Sequence, residues 1–104
     1  MILSTTESVP GRKIKKILGV VRGSTVRARN IGVDIGAFLK NLVGGEIRSY
    51  TELVEKSRDE AFERMIKKAQ KLGADAIVGI RFMTSDVMQG ASEMMAYGTA
   101  VKLE

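Results

Sequence analysis

The sequence contains no cysteine, no histidine and no tryptophan, and it has a single proline. The absence of cysteine excludes disulfides and thiolate zinc sites. The absence of histidine removes the commonest general base and the commonest metal ligand. No apolar run approaches the roughly 20 residues that a membrane-spanning helix requires. We therefore expect a protein that neither depends on disulfides nor spans a membrane, and we predict no cofactor.

The 104 residues instead have the composition of one globular domain, with 44% hydrophobic and 28% charged residues. A domain of this size buries roughly 65% of the surface that its unfolded chain exposes. Residues 1–6 include no basic segment of the kind that opens a secretory signal peptide. We assign residues 1–104 to a single domain and expect it to be cytoplasmic.

Basic residues outnumber acidic ones by 17 to 12, and the excess lies in the first half of the chain. Residues 1–48 hold nine basic and three acidic side chains, whereas residues 49–104 hold eight and nine. A basic surface can bind nucleic acid, because neutralising phosphates releases counterions. However, no aromatic side chains alternate with these basic residues to stack on bases, and no nucleic-acid-binding motif is present. A solvated basic strand face is therefore favoured, with nucleic acid as the weaker alternative.

Four segments have the composition of β-strands. They are residues 2–6, 13–26, 76–83 and 93–103. The first is short enough to be an edge strand, and residues 86–92 contain turn formers that would join the last two strands as an antiparallel hairpin. Alternation along the strands predicts that Val78 and Ile80 share a face and that Met94 and Met95 lie on opposite faces.

The second strand is unusual because it is apolar on both sides. Gly19 and Gly23 within it indicate a bulge or a close approach of another backbone. A strand with two apolar faces needs two covers, and the chain offers only one long helix. Simple alternation predicts one face with Ile14, Leu18 and Val20 and the other with Ile17 and Val21.

Two segments have helical periodicity. Apolar residues recur at helical spacing over residues 31–42, which predicts a short helix that ends at Gly44-Gly45. A second, long helix is predicted from Tyr50 to Leu72, with Ser49 as its N-cap and Gly73 as the residue that ends it. The sequence therefore predicts an α+β fold of β-β-α-α-β-β order, in which one antiparallel sheet carries the long helix on one face.

The residue pattern favours neither catalysis nor metal binding. No glycine-rich phosphate-binding motif is present, and the neighbouring carboxylates Asp59 and Glu60 lie on the polar face of the long helix. Methionine is the only soft ligand type, but Met94 and Met95 point to opposite faces and cannot ligate one ion within a subunit. Core or subunit contacts explain these methionines better. We predict a protein that is not an enzyme and has no metal site.

The chain resembles the YbjQ-like family over essentially its whole length. The residues that carry the resemblance are Gly44-Gly45, Tyr50, Leu53, Arg58-Asp-Glu-Ala61, Met65, Ala69 and Leu72-Gly-Ala-Asp-Ala-Ile-Val-Gly79, together with residues 2–6, 18–21 and 98–101. The resemblance implies a dodecin-like α+β fold that assembles as a ring-shaped pentamer. The family has no established function and often carries a heavy-metal-binding label, which the ligand types of this sequence do not support.

The resemblance and the two-sided strand together predict a homo-oligomeric module. Subunit contacts would supply the missing cover for the second strand. We expect Ile17, Val21, Met94 and Met95 to make these contacts. Tyr50, Arg58 and Asp75 match family positions and are candidates for binding a ligand at subunit junctions. The alternative is a protein that binds a metal ion or a small anion, through its acidic residues or through the basic residues of segment 12–29 repeated around the ring.

Overall fold

The computed structural model describes residues 1–28, 46–88 and 91–104. Within them, four strands and one helix follow one another along the chain. They are β1 (Ile2–Leu3), β2 (Ile14–Ala28), α1 (Glu46–Lys71), β3 (Ala76–Met88) and β4 (Ala91–Leu103). The predicted α+β class is confirmed. The predicted short helix over residues 31–42 lies outside the described residues.

The four strands form one mixed sheet with the order β1-β3-β4-β2. The predicted pairing of the last two strands is confirmed, but their ladder continues into the predicted turn, where Asp86 pairs with Ser92 and Met88 with Ala91. The prediction of a wholly antiparallel sheet is wrong, because β1 runs parallel to β3. The chain between β1 and β3 includes β2 and α1, so it is long enough for the crossover that a parallel pair needs.

Helix α1 begins four residues earlier than predicted, at Glu46, and ends one residue earlier than predicted, at Lys71. Ser49 lies inside the helix and is therefore not its N-cap. At the other end Gly73 has a φ of +76°, and its amide donates to the Gln70 carbonyl at 3.0 Å. The Ala74 amide donates to the Ala69 carbonyl at 3.1 Å. These two bonds form a Schellman motif, which satisfies carbonyls that the end of a helix leaves unpaired.

One face of the sheet is closed by α1. Ala61, Met65 and Ala69 lie at intervals of four on the helix and are fully buried against the sheet. The helix approaches β2 so closely that a Cβ atom on Gly23 would overlap the Ala61 carbonyl oxygen and the Met65 amide nitrogen. Gly23 therefore marks a close backbone approach, one of the two roles predicted for the glycines of this strand. The strand residues of this core are Leu18, Val21, Ile77, Ile80, Met94, Ala96 and Ala100.

The other predicted role, a bulge, belongs to Gly19. The register of β2 against β4 shifts between Ile17 and Gly19, and Gly19 has a φ of +133°. The extra residue moves Leu18 to the helix side with Val21, while Ile17 and Val20 share the opposite side. The predicted face assignment for this strand is therefore wrong, because a bulge breaks the alternation on which it depended.

The same effect occurs in β3. Its register against β4 shifts between Val78 and Arg81, and Gly79 has a φ of +63°. Val78 consequently packs in a second cluster on the side away from the helix, whereas Ile80 packs under the helix. The predicted common face of these two residues is wrong for the same reason. The second cluster comprises Ala76, Val78, Val101 and Leu103, covered by Ile2 and Val9 of the N-terminal segment.

Candidate functional site: the open face of the sheet

The sheet side away from α1 is covered at only one end. The N-terminal segment covers the second cluster, and the rest of this side has no cover among the described residues. We call that uncovered part the open face. Met95 is half-buried there, and the other large apolar side chains are exposed, from 36% for Tyr97 to 74% for Val20. The open face consists of Ile17, Val20, Arg22, Ser24 and Val26 of β2, Met83 and Arg81 of β3, and Glu93, Met95 and Tyr97 of β4.

The strand register aligns these residues in rows across the open face. Tyr97 of β4 lies between Arg22 of β2 and Arg81 of β3. Arg81 is also tied to the N-terminal segment, since its Nη1 donates to the Thr5 carbonyl at 2.9 Å and to the Ile80 carbonyl at 2.8 Å. The open face is therefore an apolar surface with a row of two arginines and a tyrosine across it.

The four predicted subunit-contact residues have different environments. Ile17 is 66% exposed at the open face, as a contact with another chain would require. Val21 is buried beneath α1, so the chain itself already provides the cover that was expected from a second subunit. Met94 and Met95 lie on opposite faces, as predicted: Met94 packs on the helix side, where its sulfur accepts a hydrogen bond from the Thr84 hydroxyl at 3.1 Å. Met95 lies on the open face.

The three predicted ligand residues are not brought together within the described chain. The backbone of Tyr50 lies in the first turns of α1, and its side chain is outside the described residues. Arg58 is exposed on α1, roughly 20 Å along the helix axis before its last residue at 1.5 Å per residue. Asp75 follows the end of that helix. A site that uses all three residues would therefore need more than one copy of the chain.

Asp75 has a structural role within the chain. Its Oδ2 accepts a hydrogen bond from the Leu103 amide at 2.9 Å, and its Oδ1 lies 3.7 Å from the Lys102 ammonium. The Leu103 amide holds the pKa of this carboxyl below its ordinary value, and the positive charges of Lys102 and Arg12 act in the same direction. The Asp75 amide also donates to the Val101 carbonyl at 2.9 Å. Asp75 thus connects the start of β3 to the end of β4.

Sequence reasoning missed a groove between α1 and the outer edge of β2. The groove has a volume of about 410 Å³, and none of its described lining residues is acidic. The helix contributes four basic residues that lie three or four positions apart along one face, and β2 contributes Arg22 together with Ser24. In the sequence, the lysines of this groove are no more than the positive charge that is common at a helix C-terminus. The residues that line it are Arg22, Gly23, Ser24, Arg64, Lys67, Lys68 and Lys71. Arg22 and Ser24 also lie at the edge of the open face, because β2 is the outermost strand of the sheet.

Comparison with known proteins gives a consistent result over the full length of the chain. The YbjQ_1 family model, described as "Putative heavy-metal-binding", matches residues 1–104. A UPF0145 protein of Archaeoglobus fulgidus is 60% identical over 103 residues, which cover 99% of this chain and 95% of that protein. A UPF0145 protein of Colwellia psychrerythraea is 58% identical over 104 residues, which cover 100% of this chain and 99% of that protein.

A solved structure supports the fold. The crystal structure of a protein of unknown function from Pediococcus pentosaceus, of the DUF74 family, aligns with a TM-score of 0.66. The alignment covers 100% of this chain and 98% of the other, at 22% sequence identity. No helix in the described part of the chain is long and apolar enough to cross a membrane.

The residues present do not fit the heavy-metal label. The sequence has no cysteine or histidine, and no three acidic residues among those described come together as a possible ion site. The soft donors that the sheet does bring together are the thioethers of Met83 and Met95, which are cross-strand partners on the open face. Two thioethers provide half of the four ligands of a tetrahedral soft-metal site.

Proposed function

The chain belongs to the YbjQ_1 family, and from that membership we propose that it is a non-enzymatic homo-oligomeric module in which the open face packs against another copy. We further propose that the assembly is a pentameric ring and that a small ligand binds at its subunit junctions. The proposal that it is not an enzyme is supported by the lack of histidine and cysteine, which supply most general bases and activated nucleophiles.

The observation that carries this proposal is the difference between the two sides of β2. Val21 and Thr25 are 3% exposed beneath α1, whereas Val20 and Val26 are 74% and 58% exposed on the other side. Exposed apolar side chains that adjoin one another over several strands are typical of interaction surfaces rather than of free solvent surfaces. A second copy is the occupant we favour, because the two-sided strand and the family resemblance both predict self-association.

A ring with an odd number of subunits restricts how the copies meet. Two-fold contacts join a surface to itself and close after two subunits, so a pentamer needs contacts between two different surfaces. In the proposed ring, the open face of one copy therefore packs against a different surface of the next copy. Arg58, which is exposed on α1, could then meet residues of a neighbouring copy at a junction.

The test is a charge placed among the exposed apolar side chains of the open face. Val20→Lys adds a third cation to the face that already has Arg22 and Arg81, and burying it in an interface would cost the desolvation of an unpaired charge. We expect sedimentation velocity at micromolar concentration to show an assembly for the wild type and a monomer for Val20→Lys. Gln70→Lys, on the exposed surface of α1, is the control with the same added charge and should still assemble. A monomeric wild type would contradict the proposal, as would an assembly unaffected by Val20→Lys.

A further inference from the structure

The groove between α1 and the edge of β2 is built from two elements that contribute charge of the same sign. On the helix, residues 64, 67, 68 and 71 follow the i, i+3, i+4, i+7 spacing of a single helical face. This basic face lies beside the buried stripe that contains Met65 and Ala69, so it borders the line where the helix meets the sheet. Arg22 approaches the same groove from the strand.

Close packing fixes the floor of the groove. A Cβ atom on Gly23 would lie 2.8 Å from the Arg64 Cβ and would overlap the helix backbone, so the strand and the helix are in direct contact there. The Arg64 guanidinium spans the groove, because its Nη1 donates to the Ser24 carbonyl. An arginine has five N–H donors, so this bond leaves others that a ligand could accept. The cations therefore surround a floor whose position is set by the packing of the backbone.

We propose that this groove binds a small anion with several phosphate groups in series. Five basic residues line it and no acidic residue of the described chain does, although Glu60 and Glu63 lie one helical turn before Arg64 and Lys67. Such an excess of cations raises the local positive potential and attracts polyvalent anions. The cations on the helix extend over roughly 10 Å, since residues 64 and 71 are seven residues apart at 1.5 Å each. A row of charges of that length matches a chain of phosphates better than a single one. Arginine and lysine are the side chains that commonly bind phosphate.

This site is complete within one chain, and it therefore goes beyond the proposed oligomer and does not depend on it. The groove is lined by α1 and the outer edge of β2 of the same copy, and four of its five cations belong to α1. It shares only Arg22 and Ser24 with the edge of the open face. Binding by a variant that is monomeric, such as Val20→Lys, would separate the two proposals. If Val20→Lys binds the anion as the wild type does, the groove functions without the assembly.

The experiment is isothermal titration of the untagged protein with inorganic tripolyphosphate at low ionic strength. The test variant is Lys67→Gln with Lys71→Gln, and the matched control is Lys15→Gln with Lys16→Gln, two exposed lysines of β2 that do not line the groove. Both variants remove two positive charges from a chain of net charge +5. We expect affinity to fall at least tenfold in the groove variant and to change less than twofold in the control. Circular dichroism and thermal unfolding should be unchanged in both, because all four lysines are exposed.

Two further titrations identify what the groove recognises. A nucleoside triphosphate that binds as tightly as tripolyphosphate would show that the phosphate chain is sufficient, and one that binds more tightly would add contacts to the nucleoside. Both results support the site. The proposal is overturned if tripolyphosphate does not bind, or if the groove and control variants lose affinity equally. It is also overturned if a single-stranded oligonucleotide binds and tripolyphosphate does not, because the basic surface would then recognise nucleic acid.

Discussion

The two sides of β2 differ in what covers them, although they belong to the same strand. On the helix side, Gly23 and Thr25 are pressed against the backbone of α1, and the Thr25 hydroxyl donates to the Ser57 carbonyl at 3.2 Å. On the open side, Val20 and Val26 have no partner among the described residues that buries them. Within residues 1–28, 46–88 and 91–104, the one helix completes the core under one face of the sheet and leaves most of the other face uncovered. Substitutions on the first side should therefore change folding, and those on the second should change association.

The largest effect is expected at Gly23. In Gly23→Ala the new methyl group would overlap backbone atoms of Ala61 and Met65, which cannot move aside as a side chain can. Overpacking typically costs about 1–3 kcal/mol and occasionally more. Because backbone must shift here, we expect a loss above that range, of about 5 kcal/mol. Urea denaturation measures the loss. Ser24→Ala, the next residue and on the open side, is the control and should remain within about 0.5 kcal/mol of the wild type. Equal effects of the two substitutions would contradict the close helix contact.

Replacing a methionine by alanine on each face of the sheet compares the two faces with the same change in side-chain volume. Met65→Ala removes a fully buried side chain, and such truncations cost about 2–5 kcal/mol. Met83→Ala removes a side chain that is 45% exposed on the open face, and its effect on unfolding should be less than half as large. If the open face is an interface, Met83→Ala should shift the concentration at which the assembly dissociates, measured by dilution and sedimentation. A loss in Met83→Ala that is as large as in Met65→Ala and independent of concentration would contradict this distinction.

The smallest effect is expected at Asp75, whose carboxylate accepts a hydrogen bond from the Leu103 amide at the end of the sheet. Because the folded state lowers the pKa of this carboxyl, its ionised form contributes stability that is fully present above the ordinary value of 3.8. That contribution is lost as the pH falls through the lower, folded pKa. Asp75→Asn removes the charge, so the stability difference from the wild type should be constant near neutral pH and shrink below 3.8. Denaturation curves over that pH range measure it. A difference that grows on acidification would contradict the assigned direction.

Much of the fold could be predicted because local chemistry determines it. The alternation along β4 correctly assigned Met94 and Met95 to opposite faces, and Gly73 correctly marked the end of the long helix. The first four residues of α1 were not predicted, because Ser49 and Glu52 have the spacing of a capping box. Both residues nevertheless lie inside the helix. The parallel pairing of β1 could not be predicted, because two residues contain no signal for the strand beside which they lie.

The faces of β2 and β3 were wrong for a physical reason that sequence periodicity cannot detect. Bulges at Gly19 and Gly79 each insert one residue, and every side chain beyond the insertion changes face relative to simple alternation. Gly19 indicates a bulge in the sequence, but the faces of its neighbours depend on where the extra residue lies in the pairing with β4. The basic groove was missed because it joins residues about 40 positions apart, Ser24 and Arg64, which only the packing of α1 on β2 brings together.

The central claim is that the open face of the sheet is covered by another copy of the chain. Native mass spectrometry of the untagged protein at micromolar concentration tests it most directly. We predict an assembly with five times the 11.3 kDa mass of one chain. A different multiple of that mass would still support an open face covered by another copy, and it would replace five with another number of subunits. A spectrum with only the single chain would contradict the proposal, because no second copy would then be present to cover the apolar side of β2.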